Sequence, residues 1–396
     1  MEDFELPLDL IIEILKKLPA KSLMRFRCIS KEWSSIISNS RYFTESIMSR
    51  SLRLPLKLPV FIFHCCVPAT RFTVSSTFSL RAKPSVLLIG RSSSYHSFKY
   101  QYVRGFICCS SSRYDFVMVY NPTTRQCVPL PEIKPMAVYI TRSWQLVPSP
   151  KIKPMAQIQK RHCYFGYDNV MNQYKVLALV TDSQKLTQTF HVFALGKDCH
   201  QWRKIQGNID EKLFPIGDEA VCIDGTIYYG AIRIKEGEKY DEVMLLSFDV
   251  RSERFYHVSA PETLLNAIRN WSDRKPFNHM GKLGWISRNE NNASIWIMED
   301  AKKQEWSNVI TFGLPQYEEG DFMASSGVTP DGEIFVVKHK TSYPHGMPLY
   351  VYYYNMKQKN FRKVEIEGAQ LKTTKHNRYS VRVFPIHDYV ENTMWL

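Results

Sequence analysis

The chain has 396 residues, a mass of 46.3 kDa and a formal charge of +14. Hydrophobic residues at 44% and charged residues at 23% exclude wholesale disorder, a collagen-like repeat and a disulfide-scaffold peptide. No run approaches the roughly 18 consecutive apolar residues of a spanning helix, so no membrane segment is expected.

Nine cysteines, an odd number that includes the adjacent pairs Cys65-Cys66 and Cys108-Cys109, do not read as a disulfide framework. There is no C-x-x-C, and His and Cys lack finger spacing, so neither a metal nor a cofactor is expected. The opening Met1 to Glu5 is acidic where a secretory signal would be basic. A cytoplasmic or nuclear protein is the expectation.

Residues 6–18 read as a helix, with Pro7 in the first turn and Pro19 just past the end. On a wheel of about 100° per residue, Asp9, Glu13, Lys16 and Lys17 cover an arc of about 100°. Leu8, Leu10, Ile11, Ile12, Ile14, Leu15 and Leu18 spread over roughly 200°, about twice the apolar stripe of a surface helix. A second short helix is expected over 21–28, bringing Leu23, Met24 and Phe26. A third opens at Ser30, a good N-cap, and carries Trp33, Ile36 and Ile37 to a break at Asn39-Ser40. Three helices in about forty residues hide a low fraction of their surface. The spare apolar face belongs either to a partner or to the rest of the chain, and the residues alone leave both open.

The run Leu6-Pro7, Leu18-Pro19, Lys21-Ser22-Leu23, Arg27-Cys28, Ser30-Lys31 and Trp33 closely resembles the F-box, over about forty residues without a gap. The resemblance implies an F-box over 1–50 that docks on the Skp-type adaptor of a cullin-RING ubiquitin ligase. Carried over position by position, it implies that Leu6, Pro7, Ile11, Leu15, Leu18, Pro19, Leu23, Ile29 and Trp33 form or buttress the adaptor surface.

The charge excess lies in one sector. Residues 1–50, 51–161 and 162–396 carry net charges of +1, +14 and −1, and no acid occurs between Leu52 and Arg113. Arg71, Arg81, Lys83, Arg91, Lys99 and Arg104 alternate there with aromatics and are the candidate contacts to a substrate or anion. A solubilising face is the first reading of that pattern. An acidic or phosphorylated partner comes next, and nucleic acid last, because no binding-module signature accompanies the charge.

Residues 51–396 change to short alternating runs bounded by Gly, Asn-Pro and Asp-Gly, the pattern of an all-β domain. A repeat emerges: a strand, a polar turn, and a strand opening on a large residue. Its anchors Trp202, Phe255, Trp306 and Phe361 recur at intervals of 53, 51 and 55. Hairpins such as 221–229 and 328–337 lie between them. About 50 residues per four-stranded unit is the period of a kelch-like propeller blade. The expected fold is therefore α+β by segment: a small three-helix bundle, then an all-β propeller of about six blades closed by a strand near 379–390. A distorted β-sandwich pair is the competing arrangement.

This part resembles plant-type F-box-associated interaction domains through Arg104-Gly105-Phe106, Tyr120-Asn121-Pro122-Thr123, Phe165-Gly166-Tyr167-Asp168, Tyr174-Lys175-Val176, Phe248-Asp249, Glu253-Arg254-Phe255 and Gly281-Lys282-Leu283. A Pro-containing insert over 132–159, with a duplicated Ile-Lys-Pro-Met-Ala at 133 and 152, departs from that pattern and reads as an expanded surface loop.

No Walker A loop, nucleophile elbow, His-Glu-x-x-His or dinucleotide fingerprint is present, and the eleven His residues are dispersed. The expectation is a non-catalytic receptor subunit that joins the adaptor to a protein substrate. The alternative is a stand-alone basic β-propeller that binds acidic or nucleic-acid ligands.

Overall fold

The computed structural model describes residues 7–53, 60–65, 72–76, 98–111, 116–133, 159–182, 187–196, 201–210, 212–233, 242–270, 273–288, 291–307, 309–314, 321–329, 332–340, 349–366, 381–386 and 390–394. Helix α1 (Leu8–Lys17) starts at Pro7, whose fixed φ suits a cap. It stops where Leu18 turns extended before Pro19. Helix α2 (Ala20–Phe26) follows Pro19. Helix α3 (Lys31–Asn39) is capped by Ser30, whose hydroxyl accepts from the Trp33 N–H at 3.0 Å.

The bundle has a fourth helix that the sequence reading did not foresee, α4 (Arg41–Arg53). Ser40 ends α3 and at once caps α4, its hydroxyl accepting from the Phe43 N–H at 3.2 Å. The correction matters for packing. Leu15, Leu23 and Ile37 are fully enclosed together with Phe43 and Ile47 of α4, so three helices would leave this core open on one side.

Among the described residues the β part consists of six antiparallel sheets. Five follow chain order from inside to outside. The first is β3 (Phe98–Val103), β4 (Phe106–Ser111), β5 (Phe116–Asn121) and β6 (Gln126–Pro129). The second is β7 (Gln159–Asp168), β8 (Gln173–Asp182), β9 (Thr187–Ala194) and β10 (Arg203–Ile205). The third is β11 (Leu213–Ile223), β12 (Thr226–Arg233), β13 (Glu242–Asp249) and β14 (Arg254–Val258). Helix α5 (Glu262–Asn270), also unforeseen, comes next and buries Leu264, Ala267 and Ile268. The fourth sheet is β15 (Asp273–His279), β16 (Lys282–Arg288), β17 (Asn292–Asp300), β18 (Glu305–Trp306) and β19 (Ile310–Gly313), the last two sharing the edge of β17. The fifth is β20 (Asp321–Val328), β21 (Ile334–Lys340), β22 (Leu349–Asn355) and β23 (Asn360–Ile366).

The sixth sheet joins the ends of the ring. Strand β1 (Val60–Cys65) lies between β2 (Phe72–Ser76) and the late strand β24 (Val381–Ile386), with Val60 opposite Ile386 and Cys65 opposite Val381. Neighbouring sheets touch chiefly through their first strands, β3 on β7, β7 on β11, β11 on β15, β15 on β20, and β20 on β24. This is a propeller of five full blades and a three-stranded closing sheet, in line with the expected six or so and the expected closing strand.

The repeat has a physical explanation. Asn121, Asp168, Asp249, Asp300 and Asn355 each end a strand and accept hydrogen bonds through Oδ1, Asp249 from the Ser252 N–H and hydroxyl three residues on and the others from N–H groups two and three residues on. Such Asx turns pull the chain round. Four residues later Arg125, Asn172, Glu253, Gln304 and Lys359 sit at φ +50 to +61, which completes each reversal.

The anchors then reach backward. The Trp202 indole N–H donates to Pro131 O of the preceding blade at 2.6 Å, and that of Trp306 donates to Ser259 O at 2.7 Å. The Phe255 ring lies 4.7 Å from Phe190, and Phe361 lies 6.2 Å from Phe312, again one blade back. The cores follow the same rule, with apolar clusters shared by blades one and two, two and three, three and four, and four and five. Glu253 adds a polar tie between the third blade and the second, bonded to Lys175 at 3.0 Å and Arg203 at 2.7 Å.

Truncating Phe255, which is 1% exposed, opens two blades at once. Phe255→Ala is expected to cost about 3–5 kcal/mol in chemical denaturation, in the range of buried aromatic deletions. Burial pushes the Glu253 carboxyl up, but the bonds from Arg203 and Lys175 outweigh it and hold the carboxyl below its ordinary value. A depressed folded-state pKa gives stability that is present above the unfolded value and lost as pH falls through the folded one. The wild-type melting temperature should therefore fall more steeply below about pH 4 than that of Glu253→Gln.

Candidate functional site

The apolar arc of α1 divides in two. Leu15 is sealed in the bundle core, and Ile11, Ile12 and Leu18 are half-buried against it. Leu8, Leu10 and Ile14 stand 48%, 52% and 50% exposed, with Ile29, after α2, at 60%. Leu10 and Ile14 are four residues apart and share one face of the helix. With Tyr42, these make five of the twelve large hydrophobics exposed among the described residues, concentrated in a bundle of fewer than fifty residues. The interior is already complete with this apolar surface left outside it.

The nine residues proposed for that surface have different places. Leu6 lies outside the described residues. Pro7 and Pro19 are exposed caps of α1 and α2. Leu15 and Leu23 are fully enclosed and act on any partner only by holding the helices. Trp33 is half-buried, its ring 5.5 Å from Phe26. Leu8, Leu10 and Ile14 are absent from that set, although their width on the wheel was the signal that reveals them.

The bundle is seated on the propeller through α4 and the segment 390–394. The Arg41 guanidinium donates to Asn169 O and Val170 O, at 2.8 and 3.1 Å, in the β7–β8 turn. Arg50 donates to Lys16 O and to Leu18 O, and pairs with Glu391 at 3.4 Å. Thr44 meets Thr393 at 3.4 Å, hydroxyl to hydroxyl.

Asn392, fully buried, makes the junction. Its side-chain amide donates to Arg104 O at 2.8 Å and to the Tyr174 hydroxyl at 2.9 Å, its backbone N–H donates to Thr123 Oγ1 at 3.0 Å, and its carbonyl accepts from Asn121 Nδ2 at 3.0 Å. Gly105, at φ +91, lies so close that a Cβ there would stand 2.4 Å from the Cβ of Asn392. The Arg-Gly pair thus serves both the tight hairpin and the approach of the terminal segment.

Of the six candidate anion contacts, Arg71, Arg81, Lys83 and Arg91 lie outside the described residues, as does most of the insert over 132–159. The other two have internal partners. Lys99 on β3 pairs with Glu219 on β11 at 3.1 Å. The Arg104 guanidinium lies over the Tyr167 ring, 4.6 Å from its centroid, while its carbonyl takes the Asn392 and Tyr174 bonds.

Comparison with known proteins agrees with this geometry. Residues 4–45 match the F-box domain family, and residues 60–390 match the F-box associated beta propeller domain family. The chain belongs to the F-box proteins with an F-box-associated β-propeller. It is 62% identical over 398 residues to the Arabidopsis thaliana F-box protein At1g52495, covering all of this chain and 88% of that one. It is 37% identical to the putative F-box protein At5g50220 of the same plant, covering all of this chain and 92% of that one. An F-box joined to such a propeller is the domain arrangement of a ubiquitin-ligase substrate-recognition subunit. Among the described residues no helix is long and apolar enough to cross a membrane, and no three His, Cys, Asp or Glu are grouped to hold a metal.

Asn392→Ala removes the amide that satisfies Arg104 O and the Tyr174 hydroxyl. Those two groups keep the bond between them, so the loss is that of two buried hydrogen bonds, roughly 1–3 kcal/mol together. A lower melting temperature is expected, with faster amide exchange in both α4 and the β3–β4 hairpin. Exchange rising in only one of them would contradict a shared junction.

Proposed function

We propose that this F-box protein is the receptor subunit of a Skp, cullin and F-box ubiquitin ligase. The N-terminal bundle docks on the Skp-type adaptor, and the propeller holds a target protein. The observation that carries the reading is the open face of Leu10 and Ile14, with Leu8 and Ile29 also exposed, on a bundle whose core is already closed. Covering one such side chain gains about 1.5–3 kcal/mol before the cost of association, so a few of them supply a specific contact. The chain's role is then to bring target lysines to the conjugating machinery, a tethering effect that asks for no nucleophile of its own. Of the basic candidates, the two that are described, Lys99 and Arg104, already have contacts within the fold.

Co-purification with the adaptor tests this directly. Leu10→Ser with Ile14→Ser should weaken adaptor capture about a hundredfold or more while leaving the melting temperature close to wild type, because both side chains are exposed in the free protein. Undiminished capture by the double variant would remove the basis of the proposal.

A further inference from the structure

Between the third and fourth blades, on the flank of the propeller, lies a cavity of about 360 Å³. Thr226 stands opposite Asp249, and Tyr228 opposite Ser247, which is opposite Tyr256. Residues in register across neighbouring strands share a sheet face, so these five line one wall. Met298, Ala301 and Gln304, from β17 and the turn after it, line the other. Ser247 and Met298 are buried, Tyr228 and Asp249 half-buried, and Tyr256 stands 50% exposed at the rim.

The chemistry of the lining is selective. The chain carries 52 Lys and Arg against 38 Asp and Glu, yet this cavity is lined by one carboxylate, Asp249, one imidazole, His257, and no Lys or Arg, while Arg254, opposite Asp249 in register, stands exposed outside the lining. Asp249 spends Oδ1 on its own turn, accepting from the Ser252 N–H and hydroxyl, each at 2.6 Å. Its Oδ2 has no hydrogen-bond partner among the described residues. Two phenol rings, Tyr228 and Tyr256, and the Met298 thioether line the same cavity, surfaces that suit an alkyl stem and a cation. A phosphate or carboxylate would meet the charge of Asp249, and a wholly apolar group would leave that charge unpaired.

The geometry points to this cavity as the receiver of a Lys or Arg side chain of the target protein. Asp249 Oδ2 pairs with the cation, and Tyr228, Tyr256 and Met298 cover the stem. The assignment rests on the reading of the propeller as the part that holds the target.

The molecule supplies its own neutral replacement for the test. Asn121 and Asn355 build the same turn in the first and fifth blades, so Asp249→Asn removes the charge and keeps the backbone. The full-length protein is panned against a random-peptide display library. Wild type is expected to select peptides with Arg or Lys at one fixed position, and Asp249→Asn to bind a selected peptide about tenfold more weakly, as loss of a partly buried charge pair would give. Asp300→Asn, the same change one blade on, should bind as wild type does. Selected peptides without a fixed basic residue, equal binding by Asp249→Asn, or no selected peptide would overturn the assignment. Adaptor capture is read from the same preparations. Its loss in wild type would count against the receptor reading, whereas its persistence beside a peptide signal indifferent to Asp249 would sink the cavity assignment alone.

Discussion

A four-stranded β sheet has two faces, and in this protein both faces of the inner blades are apolar. That constraint governs the architecture, because no blade buries itself and each must be covered by the next. Tyr164, Leu177, Phe190 and Val192 of the second blade share one cluster with Ile227, Tyr229, Leu246 and Phe248 of the third. The core therefore lies between blades and not inside any one of them. Fourth-strand aromatics reaching one blade back, Trp202 to Pro131 and Trp306 to Ser259, keep the outer edges from splaying where contact between the first strands no longer holds them. A stack of this kind needs its last face covered too, and β24 beside β1 does so with a segment over three hundred residues distant in sequence. Closure of such long range is slow to form, and its benefit arrives only when the whole ring is present.

The bundle and the propeller meet through polar groups, and this bears on what the molecule does. At the junction the Asn392 amide, the Arg104 carbonyl, the Tyr174 hydroxyl and the Asn121 amide satisfy one another. Hydrogen bonds add little net stability, but their directions are demanding, so a buried network fixes orientation more strictly than apolar contact does. A receptor that works by tethering depends on orientation. The distance from α1 to the propeller is set by α4, whose Arg50 holds the end of α1 and whose Arg41 holds the β7–β8 turn.

Much of this was legible from residues whose chemistry is local. Pro7, Pro19 and Ser30 mark the starts of the first three helices because a ring or a hydroxyl acts on its own neighbours. The blades were legible for the same reason, since Asp249, Asp300 and Asn355, each opening a turn, and the aromatics Phe255, Trp306 and Phe361 six residues on repeat at about fifty residues. Helix α4 escaped because Ser40 reads as a stop until Phe43 shows that it is also a start, and because Arg41, Thr44, Glu45, Ser46 and Ser49 dilute the apolar spacing of Phe43 and Ile47. The roles of Lys99 and Arg104 escaped because their partners, Glu219, Tyr167 and Asn392, are distant in sequence, and net charge says nothing of pairing. The open stripe on α1 was legible only as excess width, since a wheel shows how much apolar surface exists but not which half a neighbour covers.

The turn positions separate what the fold requires from what it leaves free. Five blade hairpins close on Asn or Asp, and in each the turn uses Oδ1 alone, so the fold needs an acceptor there and is indifferent to charge. The second atom of that side chain, an amide nitrogen or a carboxylate oxygen, is then available to other demands. At Asn121 the spare nitrogen donates to Asn392 O and Met394 O, so an amide is required and a carboxylate would repel both carbonyls. At Asp249 the spare oxygen makes no hydrogen bond among the described residues, and the residue lines the cavity between the third and fourth blades, so the turn leaves its charge free for another use. Two residues with one structural duty thus differ in the atom the turn does not use, and that difference follows what each one faces.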